Sequence, residues 1–482
     1  MRNAKHPLGS WSIFTLSLGL LGCVTPDGGQ MEDGGAPAAA DAGAHRCELI
    51  APRLGGTADT DALVKAAAQC GQTAYGWIAS PQLGEVGPLG MREDIAAATS
   101  RALLALSKVP VPDTVHDVAI EQISYTTQDR GALLGATGLL AYPTDAPMAT
   151  PDVLVVLHGT SGFTDQCAPS NSMDSRTLVS ALAALGYVVV APDYIGQRAV
   201  GGPTGFLHPY LAGQPTAIAA LDAVRAAARR LARPDGAVCA GTRFATIGGS
   251  QGGHAALWVD RLWPYYAPEL TQVGVVATVP PADLLSEAAR ALTSNVPASA
   301  NMAAFFAATS DWYEVTDRLG EVFLPPLDKD LPAALMNSCD PSDQLKNKTI
   351  TDVFQPALLN TAKSADALRA LSPWGCMIGE NGLTTTSVKR VRKAAASYGI
   401  LYVLGEADTL VNPDIERHSF DTLCAQGMRM QYLECAGASH TKATTWSLPE
   451  IVQFVSDRFA NLPMPESKVC IRGAATRCSA TP

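Results

Sequence analysis

Apolar residues in this chain follow two different rhythms. From Asp152 onward, short runs that are apolar at nearly every position alternate with longer segments whose apolar residues recur every three or four positions. The runs "VLVVLHG", "YVVVAPDYIG", "FATIGGS" and "VGVVATVPP" predict strands buried on both faces, and "SRTLVSALAALG", "PTAIAALDAVRAAARRLAR" and "HAALWVDRLW" predict the helices between them. The rhythm resumes near the end of the chain. There "YGILYVLGEAD" and "MRMQYLECAGASH" read as strands, and "PDIERHSFDTLCAQG" and "LPEIVQFVSDRFAN" as helices. Such alternation predicts an α/β fold: a mostly parallel central sheet with helices on both faces.

Other stretches break this pattern. The segment "HDVAIEQISYTTQDRGALLGATGLLAYPT" is β-rich with period-two alternation around the turn "QDRG", which predicts a hairpin. Residues 47–116 read as an N-terminal helical segment: "TADTDALVKAAAQC" opens on a Thr/Asp cap, and "REDIAAATSRALLALSK" carries acidic residues early and Lys108 late, as the helix dipole prefers. Residues 282–393 hold helix-prone, Ala/Leu-rich pieces, among them "NMAAFFAATSDWYEV", with several prolines and no strand run. This reads as a helical lid or cap inserted between sheet strands, over the strand C-termini where open α/β sheets place their sites. The sheet core is then divided into 117–281 and 394–482, the latter including a C-terminal tail.

The N-terminus has a different texture. Arg2, Lys5 and His6 precede the apolar "WSIFTLSLGLLG", too short for a comfortable membrane span and laid out like a secretory signal. The sequence "LLGC" resembles the lipobox of bacterial lipoproteins, which implies cleavage after residue 22 and acylation of Cys23. Residues 23–46 are Gly, Pro, Ala and Asp with little that is large and apolar, and they read as a flexible tether. The expected location is therefore outside the cytoplasm, lipid-anchored in the bacterial cell envelope or secreted.

Cysteine usage points the same way. Of the 11 cysteines in 482 residues, setting Cys23 aside leaves an even number, as a disulfide-bonded exported chain would have. No CxxC pair or His/Cys cluster has zinc spacing, so neither a metal nor a cofactor is expected. A net charge of −10, with no cluster of Lys and Arg, argues against a nucleic-acid partner and against electrostatic docking on anionic lipid.

The candidate chemistry centres on "TIGGSQGGHAAL". Gly248-x-Ser250-x-Gly252 follows a predicted strand and opens a predicted helix, the context in which a serine is presented on a sharp turn. A serine becomes nucleophilic when a histidine takes its proton, and that histidine needs an orienting carboxylate. His440 in "CAGASH" and Asp408 in "LYVLGEADTLVNP" each lie just past a predicted strand. Glu406, Asp414 and Asp421 are alternative acids, and His158, His254 and His418 weaker candidates for the base. Expected oxyanion donors are the backbone amide of Gln251 and that of Gly159 or Thr160 after "VLVVLHG".

The order Ser250, Asp408, His440 is that of the α/β-hydrolases. With "VLHGTSGFTDQCAPS", "VVVAPDYIGQ", "GGSQGGHAA" and "VVATVPPADL", the chain resembles the secretory lipase family, the yeast lipase A type and its bacterial relatives, over roughly Asp117 to Asn461. The resemblance implies an α/β-hydrolase in which Ser250, Asp408 and His440 are nucleophile, acid and base and residues 282–393 are the lid. It also implies a disulfide from Cys167 in "CAPS" to a lid cysteine, Cys339 or Cys376. The expected activity is hydrolysis of carboxylic esters, as a lipase or esterase acting on lipid or small-molecule esters. An exported peptidase or amidase of the same fold, or a catalytically silent surface binding module, is the alternative.

Overall fold

In the computed structural model, residues 47–49, 51–54, 70, 76–146, 150–236, 238–391 and 395–482 are described. The expected signal, Cys23, the tether and, apart from Cys70, the helix expected at "TADTDALVKAAAQC" lie outside the described residues.

The fully apolar runs form the middle of a nine-stranded sheet. Its strands are β1 (Val86–Ile95), β2 (Val118–Asp129), β3 (Ala132–Pro143), β4 (Val153–Leu157), β5 (Val188–Pro192), β6 (Arg243–Gly249), β7 (Thr271–Thr278), β8 (Gly399–Gly405) and β9 (Met430–Cys435). Their spatial order is β1-β2-β3-β5-β4-β6-β7-β8-β9. Strands β2 and β3 are the expected hairpin, and β3 joins β5 antiparallel. From β5 across to β9 every pairing is parallel. All residues of β4 and β8 are buried, as sequences without a polar face require.

Helices cover both faces. Helices Gly213–Leu231 and Gln251–Tyr266 pack into one apolar cluster with Phe244, Tyr402 and Phe420, while Met173–Ala183 and Leu448–Phe459 pack into another with Leu154, Val189 and Leu401. After β4 the chain moves outward to β5 over one face and returns to β6 over the other. That reversal opens a crevice at the C-terminal ends of β4 and β6.

Among the described residues between β7 and β8 lie seven α-helices, Leu284–Thr293, Ala298–Trp312, Leu327–Leu335, Ile350–Val353, Pro356–Thr361, Ala365–Ala370 and Trp374–Asn381. They share an apolar cluster of their own, built around Phe305, Phe306, Phe323 and Trp374, that also takes in Phe163 and Tyr210 from the core.

The N-terminal segment differs from expectation. Residues 86–95 are not helical but form β1, and the helix that follows is confined to Ala97–Leu106. The acidic residues read as its first turn, Glu93 and Asp94, belong to the strand, and Lys108 lies beyond the helix with φ 57°. "VGPLGMREDI" has no alternation because it is an exposed edge strand interrupted by Gly87, Pro88 and Gly90, and its pairing with β2 carries two register shifts. Pairing with a long neighbour, rather than local preference, makes it a strand.

Among the described residues five disulfides are present: Cys47–Cys239, Cys70–Cys376, Cys167–Cys339, Cys424–Cys470 and Cys435–Cys478. Of the two partners the resemblance left open for Cys167, it is Cys339 that bonds it. The last two bridges pin the tail beside β9, where Gln431 and Cys435 also bridge to Val469 and Thr476.

Candidate active site

Strand β6 ends at Gly249 and the helix begins at Gln251, so a single residue, Ser250, makes the turn. It does so with φ 56° and ψ −121°, a conformation that costs a side-chain-bearing residue of order 1–3 kcal/mol and is held by its surroundings. The neighbouring glycines allow the close approach. A Cβ on Gly248 would lie 2.0 Å from the Gly252 carbonyl oxygen, and one on Gly252 would lie 2.0 Å from that of Leu157. The Ser250 turn is thus pressed against the end of β4. Ser250 N donates to Thr278 O at 2.9 Å, which ties the turn to the end of β7.

Asp408 lies in the loop after β8. Its Oδ1 accepts from the amides of Leu410 and Val411 at 2.8 and 3.1 Å, and its Oδ2 accepts from His440 Nδ1 at 2.6 Å. With Nδ1 donating to the carboxylate, Nε2 is the ring nitrogen that can act as a base. His440 is the first residue of a short helix, His440–Trp446, that follows β9. Thr444 of that helix bonds Thr278 at 2.6 Å, the residue that anchors Ser250. Ala407 N donates to Ala438 O at 2.9 Å, stitching the acid loop to the histidine loop. Ser250, Asp408 and His440 are all buried.

The alternative acids have partners of their own. Glu406 is exposed and accepts from Gly437 N, Asp414 pairs with Arg417, and Asp421 pairs with Arg472. His418 is exposed on helix Pro413–Ala425, bonded to Asp414 O. His254 is packed under the site, donating from Nε2 to Asn381 O at 2.7 Å. Burial pushes its pKa down to about 4. His158 donates from Nδ1 to Gly159 O at 2.7 Å and stacks on Tyr194; burial pushes it down to about 4 as well.

The amide of Gln251, an expected oxyanion donor, lies at the N-terminus of a 16-residue helix, in its positive end potential. Gly159 and Thr160 follow β4, adjacent in the sheet to β6. The Thr160 hydroxyl bonds Tyr210 at 2.8 Å, and Tyr210 accepts from Asn301 Nδ2 at 2.9 Å. Sequence reasoning missed this link, and also the 2.7 Å bond from Gln251 Nε2 to His208 Nε2. His208 is fully buried with its Nδ1 on Ile195 O, and burial pushes its pKa down to about 3, so it is neutral and accepts at Nε2. The one sequence signal for these residues was the polar and aromatic cluster "LHPY" ahead of a long helix.

The profile of the secretory lipase family matches residues 169–467 of the 482. This chain belongs to the secretory lipase family. Two solved structures show the same fold. The rice cell wall degrading esterase LipA from Xanthomonas oryzae aligns with a TM-score of 0.62 at 19% identity, over 79% of this chain and 99% of that one. Candida antarctica lipase A aligns with a TM-score of 0.59 at 17% identity, over 83% and 87%. Among curated proteins, none matches the sequence. This secretory lipase family member is a carboxylic ester hydrolase with the α/β-hydrolase fold. Among its described residues, no helix is long and apolar enough to cross a membrane.

Proposed function

We propose that Ser250, His440 and Asp408 are the catalytic triad of a serine lipase or esterase. The observation that carries this reading is the 2.6 Å contact of His440 Nδ1 with Asp408, beside a serine in a left-handed turn at a parallel strand end. In the reaction, His440 Nε2 takes the Ser250 proton as Oγ attacks the ester carbonyl. The oxyanion is met by the amides of Gln251 and of Gly159 or Thr160. His440 then protonates the leaving alcohol, and water, deprotonated by the same nitrogen, releases the acid from the acyl-enzyme. Asp408 holds the ring and stabilises its protonated form. Residues 282–393 are the cap that shapes the acyl site.

The test is labelling with a fluorophosphonate, followed by assay on p-nitrophenyl esters of graded chain length and on a peptide amide. Wild-type protein labels and cleaves esters, whereas Ser250→Ala does neither. Preference for chains of about eight carbons or longer marks a lipase and an optimum at acetate or butyrate an esterase. Cleavage of the amide alone overturns the ester assignment for the triad.

The protein is exported and held to a membrane through an acylated Cys23. Five disulfides support the oxidising compartment, and "LLGC" supports the acylation. Labelled palmitate incorporated by wild type and lost in Cys23→Ser is the expected result. Equal labelling of both removes the anchor.

A further inference from the structure

The loop that carries Asp408 is gripped from outside the sheet. Glu287 and Arg290 sit on helix Leu284–Thr293, the first helix after β7, and form an ion pair at 2.7 Å with Glu287 buried. As an i,i+3 pair it looks local, but each side chain spends its remaining capacity on the acid loop. Glu287 Oε1 accepts from the amide of Asn412 at 2.6 Å, and Arg290 Nη2 donates to the carbonyl of Leu410. Leu410 is the residue whose amide donates to Asp408 Oδ1. Asn412 in turn caps helix Pro413–Ala425 by accepting from the amides of Asp414 and Ile415. One peptide plane on either side of Val411 is therefore fixed from the cap, and Val411 N is the second donor to Asp408.

The Glu287 carboxylate also lies within electrostatic reach of Asp408. Burial pushes the Glu287 carboxyl up, and Arg290 and the Asn412 amide hold it down, while the charge of Asp408 adds to the upward push. Glu287 is thus near enough to sense Asp408. Other ionisable groups of these elements are Asp283 at the start of the cap helix, Glu406 bonded to Gly437 N, Lys442 on the His440 helix and, on helix Pro413–Ala425, Glu416 bonded to Tyr402 and Ala282 N, Asp414 paired with Arg417, His418, and Asp421 paired with Arg472.

We infer that Glu287 and Arg290 are positioning residues for the ester hydrolysis reaction: together they lock the 408–412 loop so that Asp408 meets His440, and their opposed charges tune the imidazole. This rests on the triad reading. It makes the first cap helix part of the catalytic frame, and places any movable portion of the cap beyond Thr293.

The experiment compares full-length wild type, Glu287→Gln, Arg290→Gln and Ser250→Ala by kcat and by the acidic limb of the kcat/KM pH profile. Glu287→Gln removes a negative charge that favours protonated His440, so its limb moves to lower pH. Arg290→Gln removes a positive charge, so its limb moves to higher pH. The limbs part by at least about half a pH unit, and kcat falls roughly ten- to a hundredfold in each as the loop loosens. Limbs that coincide overturn the proposal, even if kcat falls, because a structural defect alone lowers kcat without separating them. If Arg290→Gln does not fold, Glu287→Gln carries the test beside Arg290→Lys, which keeps the charge and so keeps the wild-type limb. A Glu287→Gln limb that stays in place then overturns the proposal. Activity retained by Ser250→Ala sinks the triad itself, a result distinct from these.

Discussion

Two sets of buried histidines surround Ser250, and they have opposite fates. His208 and His254, with the nearby His158, bond to backbone carbonyls, and burial depresses all three well below the ordinary imidazole value. They are neutral spacers. His440 is buried too, yet its Nδ1 faces the side chain of Asp408, whose other oxygen accepts from two backbone amides. Under the proposed triad, the three histidines bonded to backbone carbonyls are spacers, and the one set against an oriented aspartate is the base.

The sharpest way to break this contrast is to remove the rings one at a time. His440→Ala is expected to lower kcat by about 10⁶, while His254→Gln and His208→Gln stay within roughly tenfold of wild type. A comparable collapse in any of the last two would erase the distinction. Next in size, Asp408→Asn keeps the shape of the site but offers His440 Nδ1 no carboxylate, and kcat should drop about 10⁴-fold. Circular dichroism unchanged from wild type would show that the loss is chemical.

A thermodynamic test addresses the silent set. The folded His254 has a pKa near 4, and in the unfolded chain it returns to about 6.5, so on acidification the unfolded state takes the proton first. Its contribution to stability is present above the unfolded value and is lost as pH falls towards the folded one. Between pH 7 and pH 5, wild type should lose about 2 kcal/mol relative to His254→Gln, measured by denaturant unfolding of both. The smallest effect concerns Thr160, whose hydroxyl is already engaged with Tyr210. If its amide is the oxyanion donor, Thr160→Ala costs less than about tenfold in kcat, whereas a fall of 10²–10³ would make the hydroxyl a donor.

Much of this architecture was readable from residue order because the relevant signals are local. An apolar run such as Val153–Leu157 can be satisfied by few environments, and Gly248, Gly249, Gly252 and Gly253 mark a turn that tolerates no Cβ. Asp408 and His440 stood out because each follows a strand. What stayed hidden depends on partners far along the chain. Val86–Ile95 is a strand because β2 lies beside it, and Cys70 meets Cys376 across 306 positions. Glu287 and Arg290 reach the 408–412 loop across 125 and 120 positions. The pairing of His208 with Gln251 carries no periodicity at all.

The disulfides divide the chain into two covalently closed blocks. Cys47–Cys239 and Cys70–Cys376 overlap, so a single backbone cut anywhere from residue 48 to 375 leaves one molecule; Cys424–Cys470 and Cys435–Cys478 overlap in the same way. Between the blocks runs the stretch 377–423, which no bridge spans and which contains β8 and Asp408. Ser250 belongs to the first block and His440 to the second. A protease nick in that stretch would separate Ser250 from His440 on a non-reducing gel, whereas nicks in either block would pass unseen.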